Sequence, residues 1–188
     1  EALIQGVTDY QVALYEHVLA EVGPYLDVVM MAEDLGSQDG PLISPETYRR
    51  MVKPAQKRVW QFIKSRTDAK LFLHSCGSVR QFIPDLIEIG VDILNPVQVA
   101  AGGMDPQELK NKYGDKLSFW GAGCDIPQMM ATTTTQQIEQ FVHDRLKIMS
   151  PNGGYVFSQV HNIQANVPPE NITAMFDAAL KYRDYPIK

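Results

Sequence analysis

Five short apolar runs recur along the chain, and each is bounded by glycine, asparagine or aspartate. Runs of this length between turn-forming residues are typical of buried β-strands. The predicted strands are Leu26–Met31, Lys70–Leu73, Val91–Leu94, Leu117–Trp120 and Tyr155–Phe157.

Segments with helical spacing of apolar residues separate these runs. Ser44 and Pro45 open one of them as a capping residue and a proline at the first helical position. The predicted helices cover residues 44–65, 79–89, 105–114, 134–149 and 168–182. Strands that alternate with helices predict βα units and a parallel sheet.

An open doubly wound sheet and a (β/α)8 TIM-type barrel both contain such units. No Gly-x-Gly-x-x-Gly fingerprint follows a predicted strand, and a distinctive polar cluster follows every one, which favours the barrel. A complete barrel usually needs about 250 residues. We therefore predict a single domain over residues 1–188, a partial barrel of about five βα units, whose open edges are covered by missing sequence or by another subunit.

The net charge of −5 and the pI near 5.3 disfavour binding to nucleic acid or to an anionic membrane. No apolar stretch approaches the roughly 20 residues that span a bilayer. We expect a cytoplasmic protein. Two distant cysteines make a disulfide framework improbable, which leaves metal binding, catalysis or simple burial for each of them.

The segment His74-Ser75-Cys76-Gly77 follows the second apolar run. Side chains two residues apart in a strand point to the same face, so His74 and Cys76 could bind one metal ion together. The alternative is a histidine that bonds a backbone carbonyl beside a buried cysteine.

Other strand ends carry side chains suited to catalysis or binding. The candidate catalytic carboxylates are Glu33, Asp34 and Asp39. They could orient a ligand histidine or bind the metal themselves, or belong only to a capped loop. The candidate substrate-binding residues are Gln38, Asn95, Gln98, Trp120, Asn162 and Gln164. Their polar groups could instead satisfy backbone groups at the strand ends.

Several of these segments resemble the uroporphyrinogen decarboxylase superfamily. The resemblance rests on the stretches Glu33–Pro45, His74–Gly77, Asn95–Gln98, Phe119–Asp125 and Pro168–Ile172. It extends over nearly the whole chain and implies the C-terminal portion of a (β/α)8 barrel.

Within this superfamily, decarboxylases bind a tetrapyrrole without metal, whereas the methyltransferase branch uses zinc held by a His-x-Cys pair and a later cysteine. His74 and Cys76 match the pair. His161 stands where the thiol-methylating enzymes have the later cysteine, and Cys124 could supply the missing sulfur. The resemblance thus implies a ligand set drawn from these four residues.

The resulting hypothesis is a zinc-dependent methyltransferase that moves a methyl group between a corrinoid protein and a small molecule, such as a thiol or a methoxy compound. The expected partners are the corrinoid protein, the methyl donor or acceptor, and either a second copy of the chain or the missing N-terminal part. The alternatives are a metal-free decarboxylase and a catalytically silent barrel fragment that serves as a binding or assembly subunit.

Overall fold

The structure is a computed structural model that describes residues 1–124 and 128–187, with the backbone alone at 128 and 129. Every predicted strand is confirmed, with ends shifted by a few residues. The strands are β1 (Val28–Ala32), β2 (Lys70–His74), β3 (Ile93–Asn95), β4 (Ser118–Ala122) and β5 (Tyr155–Ser158).

The strands form one parallel sheet in the order β1-β2-β3-β4-β5. A doubly wound sheet reverses its strand order and carries helices on both faces. Here the order never reverses. One face contributes Leu71, Leu73, Leu94 and Phe119 to the main hydrophobic core, which also includes Trp60 of a helix. The sheet is therefore an arc of a β/α barrel, as predicted.

The opposite, concave face of the sheet is partly open. Met30 and Val156 belong to its outermost strands, and both are exposed. In the registered pairs Met30–Phe72 and Trp120–Val156, the side chains share this face. β1 and β5 each pair with one neighbour only among the described strands, so the arc ends in two open edges.

Helices connect the strands and flank them at both ends. They are α1 (Ala2–Val22), α2 (Pro45–Thr47), α3 (Lys53–Lys64), α4 (Ile83–Glu88), α5 (Pro106–Tyr113), α6 (Gln128–Thr132), α7 (Thr135–Met149) and α8 (Pro169–Lys181). The predicted cap at Ser44 is present, because its side chain accepts a bond from the Thr47 N–H. Thr134 forms a capping box with Gln137 at the start of α7.

Two predicted helices differ in detail. A π-type segment, Tyr48–Val52, joins α2 to α3, so the predicted single helix is wound unevenly. The helix expected from residue 79 begins only at Ile83, with Pro84 in its first turn, where a missing N–H costs nothing.

Helix α1 was not predicted. Its sheltered side includes Thr8 and Leu19, which are buried, whereas Leu3, Val7 and Leu14 are exposed. Apolar residues on both sides blur the period of 3.6 residues on which helix prediction depends. Among the described helices, none is long and apolar enough to cross a membrane.

Candidate metal centre

Three of the predicted metal ligands converge beyond the carboxyl ends of the strands. His74 is the last residue of β2, Cys76 follows two residues later, and His161 lies beyond the end of β5. One ligand atom from each side chain lies within 4.8 Å of the other two. In the part of the chain that the structure describes, this is the one such group of histidine, cysteine and carboxylate side chains.

The spacing of the His-x-Cys pair fits a tetrahedral ion. Zinc binds imidazole nitrogen at about 2.0 Å and thiolate sulfur at about 2.3 Å, so two such ligands lie about 3.5 Å apart. The distance between His74 Nε2 and Cys76 Sγ is 3.4 Å. His161 is exposed, with its ring centroid 6.1 Å from that of His74, so its side chain has room to adjust.

His161 is positioned by the backbone of the preceding residue. The Val160 N–H donates to the Cys124 carbonyl at 3.2 Å, which ties the segment after β5 to the segment after β4. The segment thereby holds the second imidazole at the same end of the sheet as His74.

The Cys124 side chain is not part of this group. It is fully buried in a second hydrophobic cluster that includes Met130 and Val142. The strand alternation breaks just before it, because Gly121 and Ala122 have φ angles of +130° and +52°. This turn directs the thiol into the helical layer, so the structure offers three of the four predicted ligands. Asp125, the last residue of the Phe119–Asp125 motif, lies outside the described residues.

The loop after β1 holds Cys76 in place. Asp34 accepts a hydrogen bond from the backbone N–H of Cys76 at 2.9 Å. Burial, followed by the negative charge of Asp34, raises the pKa of the Cys76 thiol. Without a metal the sulfur is therefore a protonated thiol at neutral pH, whereas a bound divalent ion would displace the proton.

Gly77 lets the two loops pack backbone against backbone. Its φ is +76°, and a Cβ at this position would lie 2.5 Å from the Ser37 carbonyl oxygen and 2.6 Å from the Gly36 carbonyl carbon. The Gly77 N–H donates to Gln98 Oε1, and Gln98 Nε2 donates to Gln38. Gln98 and Gln38 therefore support the loop that carries Cys76. This structural role is the alternative to substrate binding that the sequence left open.

Glu33 is held by two consecutive hydrogen bonds whose residues were not predicted. The Tyr48 hydroxyl donates to Gln56 Oε1 at 2.7 Å, and Gln56 Nε2 donates to the Glu33 carboxylate. Tyr48 and Gln56 are buried. Gln56 shares the apolar face of α3 with Trp60 and Ile63, and a polar residue on such a face is the signal that could have indicated its role.

The other predicted site residues differ in exposure. Asp39, Asn162 and Gln164 are exposed, and Trp120 packs edge-on against Phe72, with ring centroids 5.4 Å apart.

Asn95 lies between the metal group and β4, with Oδ1 2.6 Å from His74 Nδ1 and Nδ2 2.9 Å from the Trp120 carbonyl oxygen.

A groove near Glu33 is separate from the metal group. It has a volume of about 420 Å³, lies between α1, β1 and α3, and includes Glu33 and Gln56 in its lining. No residue of the metal group lines it, and the groove borders β1, which is an edge strand of the arc.

The sequential parallel strands and the imidazole and thiol ligands at their carboxyl ends define a β/α-barrel protein with a candidate metal centre. The chain matches the uroporphyrinogen decarboxylase (URO-D) family over residues 1–182, and it belongs to this family.

Two curated relatives come from different branches. A methylated-thiol–coenzyme M methyltransferase from Methanosarcina mazei is 26% identical over 173 residues, which is 92% of this chain and 42% of the relative. A uroporphyrinogen decarboxylase from Pseudoalteromonas atlantica is 33% identical over 79 residues, which is 42% of this chain and 21% of the relative. The chain thus spans less than half the length of either relative.

A solved structure of a methyltransferase from Methanosarcina mazei has the same fold. It superimposes with a TM-score of 0.69 at 21% sequence identity, covering 94% of this chain and 48% of that one. The comparison supports a partial barrel, since about half of the neighbour corresponds to the present arc.

Proposed function

We propose that this chain provides the metal-binding part of a methyltransferase, with zinc held by His74, Cys76 and His161. The observation that carries the proposal is the convergence of one ligand atom from each of these side chains within 4.8 Å at the carboxyl ends of the strands. Catalytic zinc sites commonly have three protein ligands and keep one position open for the substrate.

The proposed reaction moves a methyl group between a corrinoid protein and a small molecule, either a thiol or a methoxy compound. Bound zinc would supply a Lewis acid that keeps a thiol as thiolate or polarises a methoxy oxygen. His74 is fixed at the end of β2, and Cys76 is held by Asp34 of the loop after β1. Exposed His161 leaves the centre accessible from the concave side. The corrinoid partner comes from the family resemblance, and the methylated-thiol relative supports methyl transfer as the reaction.

A decarboxylase is the second candidate. It is favoured by the uroporphyrinogen decarboxylase relative, which has the higher identity over a shorter stretch. Such an enzyme needs no imidazole and thiol group, and a silent assembly subunit does not need one either. Metal content therefore separates the methyltransferase from the decarboxylase, and the methyl-transfer assay separates it from the silent subunit.

We also infer that further strands of a barrel, in the same polypeptide or in another, cover the open edges of the arc. β1 and β5 lack a second neighbour among the described strands, and Met30 and Val156 are exposed on the concave face. Unpaired strand edges and exposed apolar surface favour association. The further strands would also enclose the substrate beside the metal.

The decisive experiment measures zinc in the purified 188-residue chain by elemental analysis, together with methyl transfer from methylcobalamin to thiols. We expect about one zinc per chain, reduced to background in His74→Ala and Cys76→Ser. A chain that takes up no zinc after incubation under reducing conditions would contradict the proposal. If zinc binds but no methyl moves, the metal centre stands, and the silent assembly subunit is tested next.

A further inference from the structure

We propose that Asn95 is a positioning residue that fixes the tautomer and orientation of His74, and not a substrate-binding residue. The inference rests on the proposed function, because it assigns His74 Nε2 as the metal-binding nitrogen. Asn95 ends β3 and is paired in register with His74 at the end of β2. Its side chain is thus held beside the imidazole by the sheet itself.

The argument starts at the Trp120 carbonyl on β4. A carbonyl oxygen only accepts hydrogen bonds, so the Asn95 side chain must turn its NH2 group toward it, and Nδ2 lies at 2.9 Å from that oxygen. The other end of the amide, Oδ1, then faces His74. The backbone of β4 therefore decides which atom of Asn95 meets the histidine.

The same reasoning continues to the imidazole. Asn95 Oδ1 is an acceptor and lies 2.6 Å from His74 Nδ1, so that nitrogen carries the proton in the neutral ring. The lone pair is left on Nε2, the atom 3.4 Å from Cys76 Sγ. A metal-binding histidine often has its second nitrogen fixed by an acceptor in this way.

Asn95 differs from the usual carboxylate partner of a ligand histidine. An aspartate could accept the Nδ1 proton, but it could not donate to the Trp120 carbonyl. Of the carboxylate and the amide, only the amide satisfies both neighbours at once. The backbone carbonyl of Asn95 separately accepts from the Ser75 N–H at 2.8 Å, and every substitution of the side chain retains this contact.

The test uses Asn95→Leu, which removes the acceptor at similar volume, and Asn95→Asp, which keeps it. Asn111→Leu is the matched control, because Asn111 is exposed on α5 and accepts from Gln107. Zinc affinity is measured by competition with a chromophoric chelator. Removal of such an orienting partner typically weakens binding by about 10- to 100-fold. We expect a loss of this size in Asn95→Leu, a smaller loss in Asn95→Asp and no change in Asn111→Leu.

A second readout is independent of metal. Nitrogen-15 NMR of the metal-free chain, at a pH where imidazole is neutral, reports which ring nitrogen of His74 carries the proton. We expect Nδ1–H in the parent chain and in Asn95→Asp, and a mixture of tautomers in Asn95→Leu. A parent chain in which His74 carries its proton on Nε2 would overturn the inference. An unchanged zinc affinity in Asn95→Leu, or equal losses of zinc affinity in both variants, would overturn it too. If the parent chain binds no zinc, the proposed function fails, while the tautomer still decides the role of Asn95.

Discussion

Asp34 accepts a hydrogen bond from the backbone N–H of Cys76, at 2.9 Å and across 42 positions of sequence. The contact joins the loop after β1 to the loop after β2. It places a negative charge beside the one sulfur in the proposed metal group.

This charge predicts the pH dependence of Cys76 alkylation. Burial and Asp34 raise the thiol pKa, so less thiolate is present at neutral pH, and the rate with iodoacetamide climbs only as the pH rises through the raised value. Asp34→Asn removes the charge and should move the midpoint of the pH–rate profile to lower pH. Asp39→Asn, in the same loop, is the control. Measured in metal-free protein, an unchanged midpoint in Asp34→Asn would refute the electrostatic explanation.

The ligand set can be tested by comparing His161 with Cys124. His161→Ala removes a proposed ligand, so we expect zinc affinity to fall by at least about 10-fold, whereas Cys124→Ala should leave it unchanged. Because Cys124 is buried in the second core cluster, its truncation should instead lower the free energy of unfolding by about 1 kcal/mol. Chelator competition and urea denaturation measure the two effects. A loss of zinc affinity in Cys124→Ala would show that Cys124 is the fourth ligand, as the resemblance implied.

The sequence could predict the five strands because each is a short apolar run with at least one residue in or against a hydrophobic core. It could also indicate that His74 and His161 meet, since the carboxyl ends of parallel strands lie at one end of a sheet. The position of Cys124 could not be predicted in this way. It depends on positive φ angles at Gly121 and Ala122, and an alanine gives no sign that it will adopt such a conformation.

Gly77 should tolerate no side chain. Gly77→Ala combines a φ of +76° with contacts of 2.5 and 2.6 Å to the backbone of the Asp34 loop, so we expect a loss of at least about 2 kcal/mol in unfolding free energy. Gly40→Ala is the control, since nothing lies within 4 Å of its added Cβ. Urea denaturation compares the two variants. Equal stabilities would show that the loops separate at little cost.

The exposed stripe of α1 predicts self-association of the isolated chain. Leu3, Val7, Tyr10 and Leu14 recur at a spacing of three or four residues on one side of the helix, and all are exposed. Sedimentation velocity should give an average mass that rises above 21.1 kDa with concentration.

Charges on the stripe should weaken this association. We expect Val7→Glu combined with Leu14→Glu to lower the average mass toward that of one chain. Leu180→Glu, at an exposed apolar position of α8, is the control and should have little effect. A parent chain that stays monomeric at every concentration would rule out association through this stripe.

His74 ends β2 and His161 follows β5, so β3 and β4 lie between the strands that carry the two imidazoles. Across a flat sheet, three strand spacings amount to about 14 Å. The ring centroids are nevertheless 6.1 Å apart, because the arc bends and the segment after β5 returns toward β2. Any change that flattens the arc, even one remote from both rings, pulls them apart. The affinity of the chain for a divalent ion should therefore fall as the sheet becomes flatter.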